Sequence, residues 1–138
     1  GPVWDDRIKS VNQSGMASIA ETTIERWFTQ PYRISNTAEV ERIIQMIKNT
    51  PVKGFEGCSQ AIKVLDQLQC LARITAPTLI LVGANDPSTP PTASEVMQKH
   101  IVGSFMTVIA NASHLLNVEQ ATHFNKQLFT LLEGQTGT

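Results

Sequence analysis

The spacing of apolar positions changes part-way along the chain. Up to about residue 68 they recur at helical intervals. Ile24, Trp27 and Phe28 in SIAETTIERWF fall at i, i+3 and i+4, an apolar stripe along one helix face. Val40, Ile43, Ile44 and Ile47 repeat that spacing in TAEVERIIQMIKN, with Thr37 placed to cap the start and Pro51 just past the end. A further helix is expected from Ser59 to about Leu68, turning Ile62 and Leu65 inward. QPYRISN and TPVKGFEG supply the turn residues between these helices.

After residue 72 the pattern becomes one of alternating strands and helices. TLILV (78–82) is a continuous apolar run, too short for a typical helix, set between Pro77 and Gly83. Such a run suits a parallel strand buried on both faces. TASEVMQKHI (92–101) predicts a helix, and FMTVIA (105–110) a second strand. NVEQATHFNKQLFTLLEG predicts one closing helix. Asn117 and Gln120 there have capping-box spacing, Ala121, Phe124, Leu128 and Leu131 form an apolar stripe, and Gly134 is a stop. The expected order is four helices followed by β-α-β-α, an α/β chain with a helical region over 1–68 and a strand-bearing region over 69–138.

This pattern locates the candidate chemistry. In parallel α/β sheets, ligands and catalytic groups gather on the loops at the carboxyl edge. Asp86 lies four residues past Val82 in GANDPSTPP, and His114 follows its own strand by the same short step. Neighbouring strands are about 4.7–4.9 Å apart, so side chains on their two loops come within hydrogen-bonding reach. An aspartate accepting from the Nδ1–H of a histidine leaves Nε2 free to act as a base. Taken singly, an aspartate in a proline-rich turn is more often a turn former, and an isolated histidine is more often structural. Their equivalent positions in successive β-α units are what raise the pair above that background.

Composition excludes several other roles. The 138 residues carry a formal net charge of −1, with 41% hydrophobic and 17% charged positions. That balance offers no basic footprint for nucleic acid or an anionic membrane surface. No apolar run approaches the ~20 residues that span a bilayer, and no signal segment opens the sequence. Cys58 and Cys70 lack metal-ligand spacing and are expected as free thiols in the cytoplasm.

GANDPSTPP, ANASHLLNVEQATHFN, IERWFT and GFEGCSQAIKVLDQLQCLARITAPTLILVGA together resemble the lid and C-terminal half of the 3-oxoadipate enol-lactonases. These are α/β-hydrolase-fold enzymes of aromatic-compound breakdown by the β-ketoadipate pathway. The resemblance implies a partial α/β-hydrolase fold, with 1–68 as helical lid and 69–138 as the last β-α-β-α of the core. It also implies Asp86 as triad acid, His114 as triad base, a small lactone as substrate, and neither a metal nor an organic cofactor. Trp4 and Trp27 are candidate substrate contacts, each with packing as its alternative. Arg26, Arg33, Arg42 and Lys53 are candidate partners for a substrate carboxylate, and nothing in the pattern selects among them.

The departure from the family pattern concerns the nucleophile. A serine in a G-x-S-x-G elbow is required, and no such pentapeptide occurs. GFEGCSQ has no glycine two places after Ser59 and follows no strand, and NQSGM lacks the leading glycine. Cys58 is a weaker alternative nucleophile, and Asp66, expected within a helix and exposed, a weaker alternative acid. The expected nucleophile therefore belongs to an N-terminal half outside this chain. The first strand is then expected to present an unpaired edge that favours self-association. Two other readings stay open: an inactive binding module, or another lidded α/β-hydrolase such as an esterase or C–C bond hydrolase.

Overall fold

The computed structural model describes residues 2–134. These fall into two compact units. One is built from the chain up to Glu25 together with Arg33–Asp66, the other from Arg26–Tyr32 together with the chain from Gln67 onward. The short segment 26–32, expected to lie with the helical region, thus groups with the strand-bearing one.

The first unit is helical. It contains α1 (Pro2–Ser14), most of α2 (Ala17–Trp27), part of α3 (Gln30–Ser35), α4 (Thr37–Lys48) and α5 (Val52–Lys63). Its core takes Ile24 and, from α4, Val40, Ile43 and Ile47 of the expected stripes, with Ile44 only partly buried, and adds Ile8 and Val11 from α1 and Ile19 and Ala20 from α2. Each large aliphatic side chain removed from water in this way contributes about 1.5–3 kcal/mol. Thr37 is the first helical residue of α4 rather than its cap, which is Asn36.

Four expectations for this part are corrected. QPYRISN is not a turn but largely the helix α3, because a proline is tolerated in a first helical turn, where its missing N–H has no partner to lose. TPVKGFEG likewise contains the start of α5. Pro51, with φ −61° and ψ 129°, sets the extended entry that launches the helix at Val52. Starting seven residues earlier than expected, α5 ends at Lys63, so Asp66 lies beyond it rather than inside it. Ile62 and Leu65 consequently share no inward face: they are 47% and 62% exposed, and the buried residue of α5 is Ser59.

The second unit holds a two-stranded parallel sheet. β1 (Leu79–Gly83) pairs with β2 (Phe105–Ile109) in the register Leu79↔Phe105 to Gly83↔Ile109, joined through α6 (Pro91–His100). The ladder extends one step at each end, through Phe105 N–H to Thr78 O and Ala84 N–H to Ile109 O. Burial along β1 alternates: Ile80 and Val82 are buried, Leu79 and Leu81 only partly so. Successive strand residues point to opposite faces, so one face of β1 is fully covered and the other is not. The expectation of a strand buried on both faces is corrected accordingly. Val108 on β2 is also exposed.

The closing helix is two helices, α7 (Leu116–Glu119) and α8 (Ala121–Leu132). The chain leaves helical geometry at Gln120, where φ is −127° and ψ 49°. The predicted capping box does not form, because Asn117 lies inside α7. Gln120 instead donates its side-chain amide to the carbonyl of Asn111, 3.0 Å away. The stripe on α8 is little buried, with Ala121 and Leu128 exposed and Phe124 and Leu131 intermediate. No helix among the described residues is long and apolar enough to cross a membrane.

Candidate active site

Asp86 and His114 meet at the carboxyl edge of the sheet. β1 ends at Gly83, and the chain turns sharply, with Asp86 N–H returning to Gly83 O at 3.2 Å. Asn85 N–H donates to Ala112 O at 2.9 Å, tying the loop after β1 to the loop after β2. Gly83 permits that approach. A Cβ there would lie 2.3 Å from Ser113 O and 2.5 Å from Ala112 O, both backbone atoms with no room to give. The β2 loop turns at Asn111, whose φ of 54° is in the left-handed region that asparagine tolerates best after glycine.

Asp86 is 5% exposed and divides its two oxygens between tasks. Oδ1 accepts from the N–H groups of Ser88 (2.8 Å) and Thr89 (3.0 Å), which folds the DPST turn around the carboxylate. Oδ2 accepts from the Thr89 hydroxyl (2.7 Å) and lies 2.8 Å from His114 Nδ1. The turn-forming and histidine-orienting readings of Asp86 are therefore both realised, one on each oxygen. Burial pushes the carboxyl up. The Thr89 N–H, the His114 ring, the Thr89 hydroxyl and the Ser88 N–H outweigh it and hold Asp86 below the ordinary carboxylate value.

The tautomer of His114 follows from these partners. A carboxylate only accepts, so Nδ1 carries the hydrogen and Nε2 has the free lone pair. The Thr89 hydroxyl has given its hydrogen to Asp86, so its 3.3 Å approach to Nδ1 is that of a secondary acceptor. The His114 side chain is 34% exposed, so a buried acid stands behind a base open on one side. Chemically the arrangement takes a proton at Nε2 and stabilises the resulting imidazolium.

Trp27 is beside this pair. Its ring stacks on His114, with centroids 6.4 Å apart and planes 25° from parallel. The expected apolar stripe of α2 thus ends differently from its start: Ile24 and Phe28 are buried, while Trp27 is only half-buried. Trp4 lies in the helical unit on α1, with the Arg7 guanidinium 5.0 Å above its ring. Arg42 is bound to Glu39 at 2.5 Å, and Lys53 is exposed on α5. Arg33 holds a buried Nε for which no hydrogen-bond partner is present.

The competing nucleophiles do not fit the role. Gly54, Gly57 and Ser59 all lie inside α5, with no strand leading into a sharp turn, and Ser59 is 1% exposed. Cys58 is an exposed free thiol on the same helix. Among the described residues, no group of three or more His, Cys, Asp or Glu is placed to hold a metal ion.

Two contributors had been given no role from the sequence, although they lie in GANDPSTPP and ANASHLLNVEQATHFN, the stretches that carry the family resemblance. Thr89 closes the acid's hydrogen-bond shell, and its proximity to Asp86 in DPST was the available signal. Glu119 is buried (8% exposed) and accepts from Ser113 N–H at 2.8 Å and Thr29 N–H at 3.0 Å, and from the Thr29 hydroxyl. Its partner Thr29 is 90 residues away, so no local pattern announced it.

The fold is a partial α/β-hydrolase fold. The chain belongs to the alpha/beta hydrolase fold family, which matches residues 7–121. It is similar to 3-oxoadipate enol-lactonase 1 of Acinetobacter baylyi, with 36% identity over 121 residues, 88% of this chain and 45% of that protein. Similarity to 3-oxoadipate enol-lactonase 2 of the same organism is 34% over 122 residues, again 88% and 45%. The crystal structure of the enol-lactonase from Burkholderia xenovorans matches with a TM-score of 0.93 at 26% identity. That match covers 96% of this chain and 50% of the other. The chain thus spans about half the length of the relatives it matches.

Proposed function

We propose that this chain is the acid- and histidine-bearing part of a serine-type lactone hydrolase, a 3-oxoadipate enol-lactonase of aromatic-compound catabolism. The observation that carries this reading is the 2.8 Å contact between buried Asp86 and half-open His114, which leaves Nε2 free as a base. The similarity to two enol-lactonases supports the substrate class.

The nucleophile comes from a segment that precedes this chain. His114 Nε2 takes the proton of that segment's serine hydroxyl as its oxygen attacks the lactone carbonyl. The tetrahedral intermediate collapses to an acyl-enzyme, and the ring oxygen leaves as an enolate that receives the proton back from His114. Water then attacks the acyl-enzyme, giving its proton to Nε2, and the serine leaves with that proton. Asp86 holds the ring and balances its charge in each half-reaction without being protonated itself. Trp27, stacked on His114, lines the space where the substrate sits.

By itself the chain is inert. Removing a triad serine costs on the order of a million-fold in kcat in a serine protease, and the same loss is expected here. The test compares the purified chain with the chain joined to a nucleophile-bearing first half, on the enol-lactone and on a panel of linear esters. Turnover by the joined enzyme alone, favouring the lactone, supports the reading. A preference for linear esters would move the assignment to an esterase. The solved esterase of Thermogutta terrifontis, 27% identical with a TM-score of 0.88, keeps that second reading in view.

A further inference from the structure

Glu119 sits at the end of α7, five residues past His114, and its two oxygens face different parts of the chain. Oε1 accepts from both the N–H and the hydroxyl of Thr29, and Oε2 from the N–H of Ser113. Further bonds join the same two segments: the Ser113 hydroxyl donates to Arg26 O at 2.7 Å, and Leu115 N–H donates to Trp27 O at 3.0 Å. The residues before and after His114 are therefore both tied to the stretch 26–29. Trp27 is the member of that stretch whose ring lies against His114. We infer that Glu119 is a positioning residue, holding the 26–29 strap so that Trp27 packs on the catalytic imidazole and limits its rotation.

The side-chain chemistry is specific. A backbone N–H is aimed at each oxygen of Glu119, with the Thr29 hydroxyl as a third donor on Oε1, so the site needs two acceptors. A glutamine has one acceptor oxygen. In either orientation its NH2 group confronts a backbone N–H, so one of the two backbone bonds is lost and the strap is held by fewer ties. A shape-conserving substitution thus separates the role of the carboxylate from that of its bulk.

The inference rests on reading Asp86 and His114 as the relay pair, but its test needs no turnover. Trp4→Phe leaves Trp27 as the sole tryptophan. Imidazolium in contact with an indole quenches its emission, so Trp27 emission steps as His114 titrates, and His114→Ala in the same background removes the step. Glu119→Gln, shown to be folded by circular dichroism, is expected to show a diminished step. A folded Glu119→Gln chain with the full step overturns the inference, as does absence of a step before substitution. If Glu119→Gln does not fold, Thr29→Val decides, because it removes one hydroxyl donor and keeps both backbone donors. A diminished step supports the inference and an undiminished one overturns it. Failure of the relay reading would show elsewhere, as hydrolysis by the joined enzyme that is indifferent to His114, with the emission step still dependent on Glu119.

Discussion

Asp86 does two jobs with one carboxylate, which makes its substitution informative at the residue scale. In Asp86→Asn, the amide oxygen takes over the Ser88 and Thr89 N–H groups, and the NH2 then faces His114 Nδ1. That forces the hydrogen onto Nε2, the wrong tautomer for a base. The joined enzyme should lose roughly four orders of magnitude in kcat, measured under saturating lactone, while the chain stays folded. The same residue sets a pH dependence. Its folded-state value is lowered from 3.8, so its contribution to stability is fully present above the unfolded value and disappears as pH falls through the folded one. Denaturation at a series of pH values should show the gap between the parent and Asp86→Asn constant near neutrality and closing below about pH 4. A gap that widens in acid would contradict the hydrogen-bond shell described for Asp86. Asp86 and His114 were legible in the sequence because each follows its strand by the same short step. The role of Glu119 was not, although the residue lies in a stretch that carries the family resemblance, since what distinguishes it from a solvated helix-end glutamate is its contact with Thr29, far away in sequence.

At the scale of elements, what positions the site is the contact between the two carboxyl-edge loops, and Gly83 is its closest point. Gly83→Ala should destabilise the chain by roughly 1–3 kcal/mol, the cost of overpacking against backbone that cannot yield. The same change should shift the backbone amide resonances of Ser113 and His114. An unaltered melting midpoint together with unshifted Ser113 and His114 amides would show that the loops are not in register-limiting contact. The strands and α6 were readable to within a residue, because short apolar runs bounded by Pro and Gly admit few alternatives. The misreadings fell where a bond to another loop, or a proline read as a stop rather than a start, overrode the expected pattern. Gln120 abandons the helix to reach Asn111 O, splitting α7 from α8, and Pro51 launches α5 early enough to carry the glycines inside it. The apolar spacing on α8 was read correctly as a stripe, but periodicity does not say whether anything covers it.

At the scale of the whole molecule, apolar surface remains open. Val64 is 79% exposed, Phe129 60% and Leu132 70%, and among the described residues β1 pairs along one edge only. Exposed apolar groups and an unpaired strand edge each favour association with another chain. The chain alone should therefore self-associate with rising concentration in light scattering, and a joined or added first half should return it to a single discrete species. A monodisperse chain at high concentration would contradict an accessible β1 edge. In the proposed function Asp86 and His114 serve a nucleophile outside these 138 residues. The most direct test is labelling with a serine-trapping organophosphonate followed by peptide mapping, for the chain alone, the joined enzyme and joined His114→Ala. The expected result is no adduct on the chain alone, one adducted serine in the preceding segment of the joined enzyme, and its loss in His114→Ala. An adduct on any residue of this chain, or labelling undiminished without His114, would contradict it.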